Sequence, residues 1–140
     1  MGSEDQKNRF LKPMARGELL GAFCLTEPQA GSDASAIKTQ AKKVGNRYVM
    51  NGTKQFITSG ENADVAIVFA VTDPEAGKRG ISAFIVPTDT PGYRVASIEN
   101  KLGQNLSDTA QIAFEDMVLT PDLLLGEEGQ GSRVAWPNLK

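Results

Sequence analysis

The chain has 140 residues, of which 40% are apolar and 23% charged, with a net charge of −2. That is enough for one domain with a real core and no metal or disulfide. The near-neutral balance excludes a broad phosphate-binding surface, and the lack of any histidine removes Ser-His and Cys-His catalysis and the common zinc sites.

Cys24 is the only cysteine, so it cannot close an internal disulfide, which suits a reducing compartment. Set in an apolar stretch with no base to activate it, it reads as a buried structural thiol. Apolar runs stay well short of membrane-spanning length, so no membrane insertion is expected, and from the polar start Met1 to Gln6 no targeting segment is expected either.

In chain order, residues 3–15 form the first helical candidate. Ser3 stands as N-cap with Gln6 in the capping-box position, Phe10, Leu11 and Met14 form a narrow apolar stripe, and Pro13 and Gly17 end it. So small a stripe buries little, which predicts either packing on something outside the chain or the tail of a larger helix.

From Glu18 onward the pattern is β. Glu18 to Leu25 reads as a strand, and Ile37 to Val44 as a second. Gly45-Asn46 then makes a glycine-first turn of type II′, from which Arg47 to Met50 returns antiparallel. Asn51-Gly52 reads as another tight turn, followed by a strand Lys54 to Thr58 whose Phe56 enters a core. Val65 to Val71 is continuous, β-branched and apolar, and is expected to be the most buried strand. A polar loop through Gly80 joins it in a wide hairpin to Ile81–Val86, which stops at Pro87. Tyr93 to Ile98 and Thr109 to Phe114 come next, after which Glu115 to Pro121 carries the chain off the sheet. A helix beginning near Ser132 has no room to form before Lys140.

Seven or eight short strands without a helical crossover predict an all-β fold. The expected form is a small antiparallel β-barrel or two crossed sheets, with short helical pieces at both chain ends.

Cys24 to Ala36 is the stretch around which the rest is arranged. An apolar strand breaks at Glu27-Pro28 and opens into a loop offering Gly31, Ser32 and Asp33. On the residues alone, that loop either holds a ligand with its N–H groups and the hydroxyls of Thr26 and Ser32, or simply caps a helical turn over Ala34, Ser35 and Ala36. Position for position, the thirteen residues resemble the signature of the acyl-CoA dehydrogenase family: small, aliphatic, Ser/Thr, Glu, two free, small, Gly, Ser/Thr, Asp, two free, small. Asn51-Gly52-Thr53-Lys54-Gln55-Phe56-Ile57-Thr58 is similar to that family's Asn-Gly-x-Lys-x-aromatic-Ile-Thr segment, and the resemblance covers about residues 5–136.

The resemblance implies the family's middle β domain at 18–125, with a helical lead-in at 1–17 and the start of a second helical part at 126–140. It implies FAD as cofactor and an acyl-CoA substrate undergoing α,β-dehydrogenation, with hydride passing to flavin N5. It further implies electron-transfer flavoprotein as acceptor, a homo-oligomeric parent, no nucleic acid, and a bacterial cytoplasm or mitochondrial matrix.

Residue by residue, Phe23, Leu25 and Thr26 would line the flavin, with Thr26 donating towards its N1/O2 side. Gly31 and Ser32 would lie near the pyrophosphate, Ser32 also at the start of the acyl-CoA channel. Phe56 would stack on the ring system where many relatives have tryptophan, Ile57 would lie beside it, and Thr58 would reach N5. Glu27 takes a structural role at the turn. The catalytic glutamate belongs to a helical part outside this chain, so the segment alone is expected to be inactive. The alternatives are a non-catalytic β-barrel for an apolar ligand and, against the weak positive charge, an oligonucleotide-binding barrel.

Overall fold

The computed structural model describes residues 1–135. Seven strands form one curled sheet: β1 (Gly21–Cys24), β2 (Gln40–Val44), β3 (Arg47–Thr58), β4 (Val65–Val71), β5 (Ile81–Pro87), β6 (Tyr93–Ile98) and β7 (Thr109–Leu119). Short helices lie at both ends, as expected. The order is β1-β4-β2-β3-β7-β6, with β5 on the remaining edge of β4.

The sheet has two halves. In one, β4 and β5 make the expected hairpin, from Val65↔Pro87 to Val71↔Ile81. In the other, β2, β3, β7 and β6 run antiparallel to their neighbours. The halves meet at the Gln40↔Val71 pair, and the curl brings the end of β1 back onto β3, where the Gln55 N–H donates to the Thr26 carbonyl at 2.8 Å. Not all pairing is antiparallel: β1 lies parallel to β4. Such pairing needs a long crossover, which 25–64, including the β2–β3 hairpin, provides.

Several expected boundaries move for local reasons. β1 begins at Gly21 and not at Glu18, because the chain is still leaving the helix through Gly17, at φ +73°. The second strand starts at Gln40, since the Lys38 and Thr39 N–H groups are given to the Glu27 carboxylate. The Gly45-Asn46 hairpin forms as expected, with Gly45 at φ +62° between paired Val44 and Arg47.

Asn51-Gly52, expected as a turn, lies inside β3. Opposite it β7 bulges, with Asp116 at φ +47°, and Asn51 locks that bulge by donating from Nδ2 to Asp116 Oδ1 (3.0 Å) and accepting from the Asp116 N–H (2.9 Å). The irregularity is thereby absorbed, so β7 continues to Leu119 instead of leaving the sheet at Glu115. Only glycine fits at position 52, where a Cβ would stand 2.4 Å from Thr39 Oγ1. Burial also differs from expectation: Ile81 to Val86 of β5 are all buried, whereas β4 leaves Ile67 and Val71 part-exposed.

The core lies inside the curl and joins the halves. Met50, Ile112, Met117 and Leu119 from β3 and β7 meet Val68, Phe84 and Val86 from β4 and β5. A second cluster, Leu25, Ile37, Phe69, Ile81, Ala83 and Ala135, lies on the other side of β4 and β5. The N-terminal helical segment runs from Glu4–Gln6 through a π-helical turn at Lys7–Leu11 to Lys12–Ala15, with the expected Ser3/Gln6 capping box. Pro13 does not end it. The π turn stands just ahead of this residue, which has no N–H to give.

The segment packs on this same domain and not only on something outside the chain. Gln6 Nε2 donates to the carbonyls of Asp122 and Leu124, both at 2.8 Å, and Phe10 rests against the core. After the 126–130 loop a helix does form, at Gly131–Ala135. Gly131 sits so close to β5 that a Cβ would be 2.8 Å from the Ile81 carbonyl. Residues 136–140 lie outside the described residues.

Candidate functional site

The two motif segments meet where β1 ends. Glu27 turns the chain through reciprocal backbone bonds with Ala30 (2.9 and 3.0 Å), and its side chain points inward, 4% exposed. There the carboxylate accepts four hydrogen bonds. Lys54 Nζ (2.8 Å) and the Thr39 N–H (3.0 Å) reach Oε1, while the Lys38 N–H and Gln29 Nε2 (both 2.6 Å) reach Oε2.

Burial pushes the Glu27 carboxyl up, but the charge and hydrogen bond of Lys54, with further bonds from Thr39 and Lys38, outweigh it and hold the group at about 2. Lys54 has zero exposure; burial draws its ammonium below the usual lysine range, and Glu27 opposes that drop. Its remaining bond goes to the Leu25 carbonyl at 3.1 Å. Neighbouring Cys24 is wholly buried, which pushes its thiol up to about 12 and leaves it inert, as expected of a structural cysteine.

Beyond Lys54 the strand breaks its alternation. Lys54 pairs with Ile112 and Ile57 with Ala110, so Gln55 and Phe56 together oppose the single Gln111. This β-bulge adds one residue, and an added residue reverses the facing of the strand beyond it. Phe56 therefore does not enter the core. It stands at φ +57° with 63% of its surface exposed, while Ile57 is buried. Thr58 is exposed and pairs with Thr109. Gln55 is pinned from both sides, donating from Nε2 to Glu99 (2.6 Å) and accepting from Gln111 Nε2 (2.8 Å).

Thr26 and Phe56 thus come together through the Gln55 to Thr26 bond, with Thr58 two residues further along the same strand. Phe23, 40% exposed, leans on Phe69 with ring centres 5.1 Å apart. Leu25 and Ile57 are buried, so what they offer a ligand is backbone. Gly31 and Ser32 stand on the exposed loop past the Glu27–Ala30 turn, and nothing lies within 4 Å of where a Gly31 Cβ would be. The capping reading of that loop holds, because Asp33 caps the Ala34–Ala36 turn by accepting from the Ser35 N–H at 3.0 Å.

Chemically these segments offer an outward aromatic at Phe56, a second aromatic at Phe23, hydroxyls at Thr26, Thr58 and Ser32, and a glycine loop. Flat apolar rings beside hydroxyl donors fit a planar, polar-edged ring system such as a flavin. Among the described residues no cluster of acidic side chains and cysteine is arranged for a metal, and no helix is long and apolar enough to cross a membrane. Sequence reasoning did not single out Lys54 as part of this arrangement. The available signal was a lysine amid β-forming residues, on the same strand as Met50, with Glu27 in the other motif as its counter-charge.

Comparison with known proteins accords with this geometry. Residues 22–117 match the family described as "Acyl-CoA dehydrogenase, middle domain". An acyl-CoA dehydrogenase of Bacillus subtilis (strain 168) is 46% identical over 138 residues, covering 99% of this chain and 36% of that protein. The mitochondrial short-chain specific acyl-CoA dehydrogenase of Rattus norvegicus is 44% identical over 138 residues, again 99% of this chain and 34% of that protein. The solved butyryl-CoA dehydrogenase of Megasphaera elsdenii superposes with a TM-score of 0.95 at 46% identity, covering 98% of this chain and 36% of that one. The chain spans about a third of the length of the relatives it matches. With the fold, both motif segments and the match over most of its length in agreement, the chain belongs to the acyl-CoA dehydrogenase family, whose middle domain it carries.

Proposed function

We propose that this chain is the FAD- and acyl-CoA-contacting β part of an acyl-CoA dehydrogenase, with 18–125 as that domain and 1–17 and 126–140 as the beginnings of flanking helical parts. The observation that carries the reading is Phe56, an aromatic ring held out to solvent at a left-handed backbone position beside Thr26 and Thr58. A strained residue of this kind points to a function that needs it there.

FAD, when bound, supplies the two-electron acceptor for α,β-dehydrogenation of an acyl-CoA thioester. Phe56 and Phe23 would cover the apolar ring system and keep water from it. The hydroxyls of Thr26 and Thr58 would donate to its polar edge, and a donor that strengthens where negative charge develops lowers the barrier more than it tightens binding. Ser32 and the Gly31 backbone would hold the pyrophosphate and the mouth of the acyl-CoA channel.

Glu27 is not available as the base, since all its lone-pair directions are taken by Lys54, Thr39, Lys38 and Gln29. As the family resemblance implies, the base comes from outside this chain. The 140 residues are inactive alone, and the assembled oligomeric enzyme passes its electrons to electron-transfer flavoprotein.

Titrating the chain with FAD, following quenching of flavin fluorescence with and without an acyl-CoA, tests the reading. Thr26→Val is expected to weaken binding about fivefold, from one lost hydrogen bond, and Phe56→Ala about tenfold or more, from lost stacking. Unchanged affinity in both variants overturns the assigned contacts. The alternative of a barrel holding an apolar ligand lacks support, because Met50, Phe84 and Ile112 fill the interior with zero exposure.

A further inference from the structure

A lysine with zero exposure in a small domain calls for an explanation beyond stability, because a well-packed apolar pair of similar size serves a core as well or better. The position of the Glu27–Lys54 pair supplies one. Lys54 lies two residues before Phe56 on β3, and its ammonium reaches across to two points on the end of β1, the Leu25 carbonyl at 3.1 Å and Glu27 Oε1 at 2.8 Å. Between those two points sits Thr26, whose carbonyl receives the next N–H of β3, that of Gln55, at 2.8 Å.

Glu27 is itself tied to 38–39 by two backbone donors, so the ammonium joins three separate stretches of chain at one buried point. A left-handed aromatic persists only where its surroundings over-determine the backbone. On the side after the bulge that constraint is the buried Ile57, and on the side before it, Lys54.

We propose that Lys54 and Glu27 are a positioning pair: the buried ion pair clamps the end of β1 to the bulge of β3 and thereby sets where Thr26 and Phe56 stand relative to each other. The proposal rests on the flavin reading for its functional meaning, but the clamp itself is a statement about backbone. Neither residue touches the ligand; both act through Thr26, Gln55 and Phe56. A merely stabilising pair would make no difference between this rim and the rest of the sheet.

The test is amide hydrogen exchange by NMR on the 140-residue chain, comparing wild type with Lys54→Met and with the neutral double variant Glu27→Gln/Lys54→Met, which refills the site without a lone buried charge. The informative amide is that of Gln55; Ala66 and Phe84, in the hairpin of β4 and β5, report global opening.

In the double variant the Gln55 amide is expected to exchange at least tenfold faster, with the Ala66 and Phe84 amides within twofold of wild type and FAD affinity lowered at least tenfold. Wild-type exchange at Gln55 in either folded variant overturns the proposal, and so does a uniform rise at all three amides. If wild-type chain fails to bind FAD, or Thr26→Val and Phe56→Ala bind it unchanged, the flavin reading fails, while the Gln55 amide still decides the clamp.

Discussion

Phe56 carries two costs that an ordinary strand residue does not, a left-handed backbone and a mostly exposed ring. For a residue with a Cβ that backbone costs about 1–2 kcal/mol, and the exposed ring recovers little of it by burial. Glycine at this position removes the strain at the price of a looser unfolded chain. Phe56→Gly is therefore expected to raise the unfolding free energy by up to about 1 kcal/mol, read from the urea midpoint, while flavin quenching is lost. A variant both less stable and unable to bind would mean that the ring is a packing residue after all. Gly52 and Gly92 show the opposite case, where no side chain is possible. At Gly92, φ +96°, a Cβ would be 2.6 Å from the Glu115 carbonyl.

At the scale of elements, the end of β1 and the middle of β3 behave as one unit because a single buried ion pair joins them. Removing one partner of such a pair costs about 3–5 kcal/mol, since the other is left buried and uncompensated. The two partners are not equivalent. Without Lys54, Glu27 keeps the Lys38, Thr39 and Gln29 donors; without Glu27, Lys54 keeps only the Leu25 carbonyl.

Acid exposes the same asymmetry. The Glu27 carboxyl titrates at about 2 in the fold against 4.5 ordinarily, so its stabilisation is complete above about pH 4.5 and is lost as pH falls towards 2. Protonation there leaves the Lys54 ammonium buried beside a neutral acid. Unfolding free energies from urea titrations between pH 5 and 2 are expected to fall for wild type by an amount on the order of 3 kcal/mol more than for Glu27→Gln/Lys54→Met. Parallel falls in the two proteins would show that the pair is not the acid-sensitive element.

Over the whole molecule, the two halves of the sheet are held by few backbone bonds and by a shared interior. Only Gln40↔Val71 links β2 to β4, so side chains crossing the curl carry most of the joint. Phe84 on β5 is central among them. It has zero exposure, meets the ring of Tyr48 on β3 edge-on with centres 5.1 Å apart, and pairs in the backbone with Val68 and Leu124. Phe84→Ala is expected to cost about 3–5 kcal/mol, from lost transfer energy plus the cavity left between halves. Urea unfolding should remain a single transition, because one core spans both halves. Two separate transitions would mean that the halves fold independently.

The features legible from the sequence are those that depend on neighbours along the chain. The Ser3/Gln6 cap, the Gly45-Asn46 hairpin, the hairpin of Val65–Val71 with Ile81–Pro87, and the strand Tyr93–Ile98 all arise from local propensity, turn chemistry and alternation. The motif residues of Cys24–Ala36 and Asn51–Thr58 were legible too, as residue types at set spacings. Tertiary structure alone decided which way they face. Alternation predicts the inward side correctly only until a bulge adds a residue, and the bulge at Phe56 exists because Gln111, far along the chain, supplies one residue against two. The parallel pairing of β1 with β4 and the zero exposure of Lys54 have the same origin. Each is stabilised by partners distant in sequence, and no periodicity in one segment encodes the position of another.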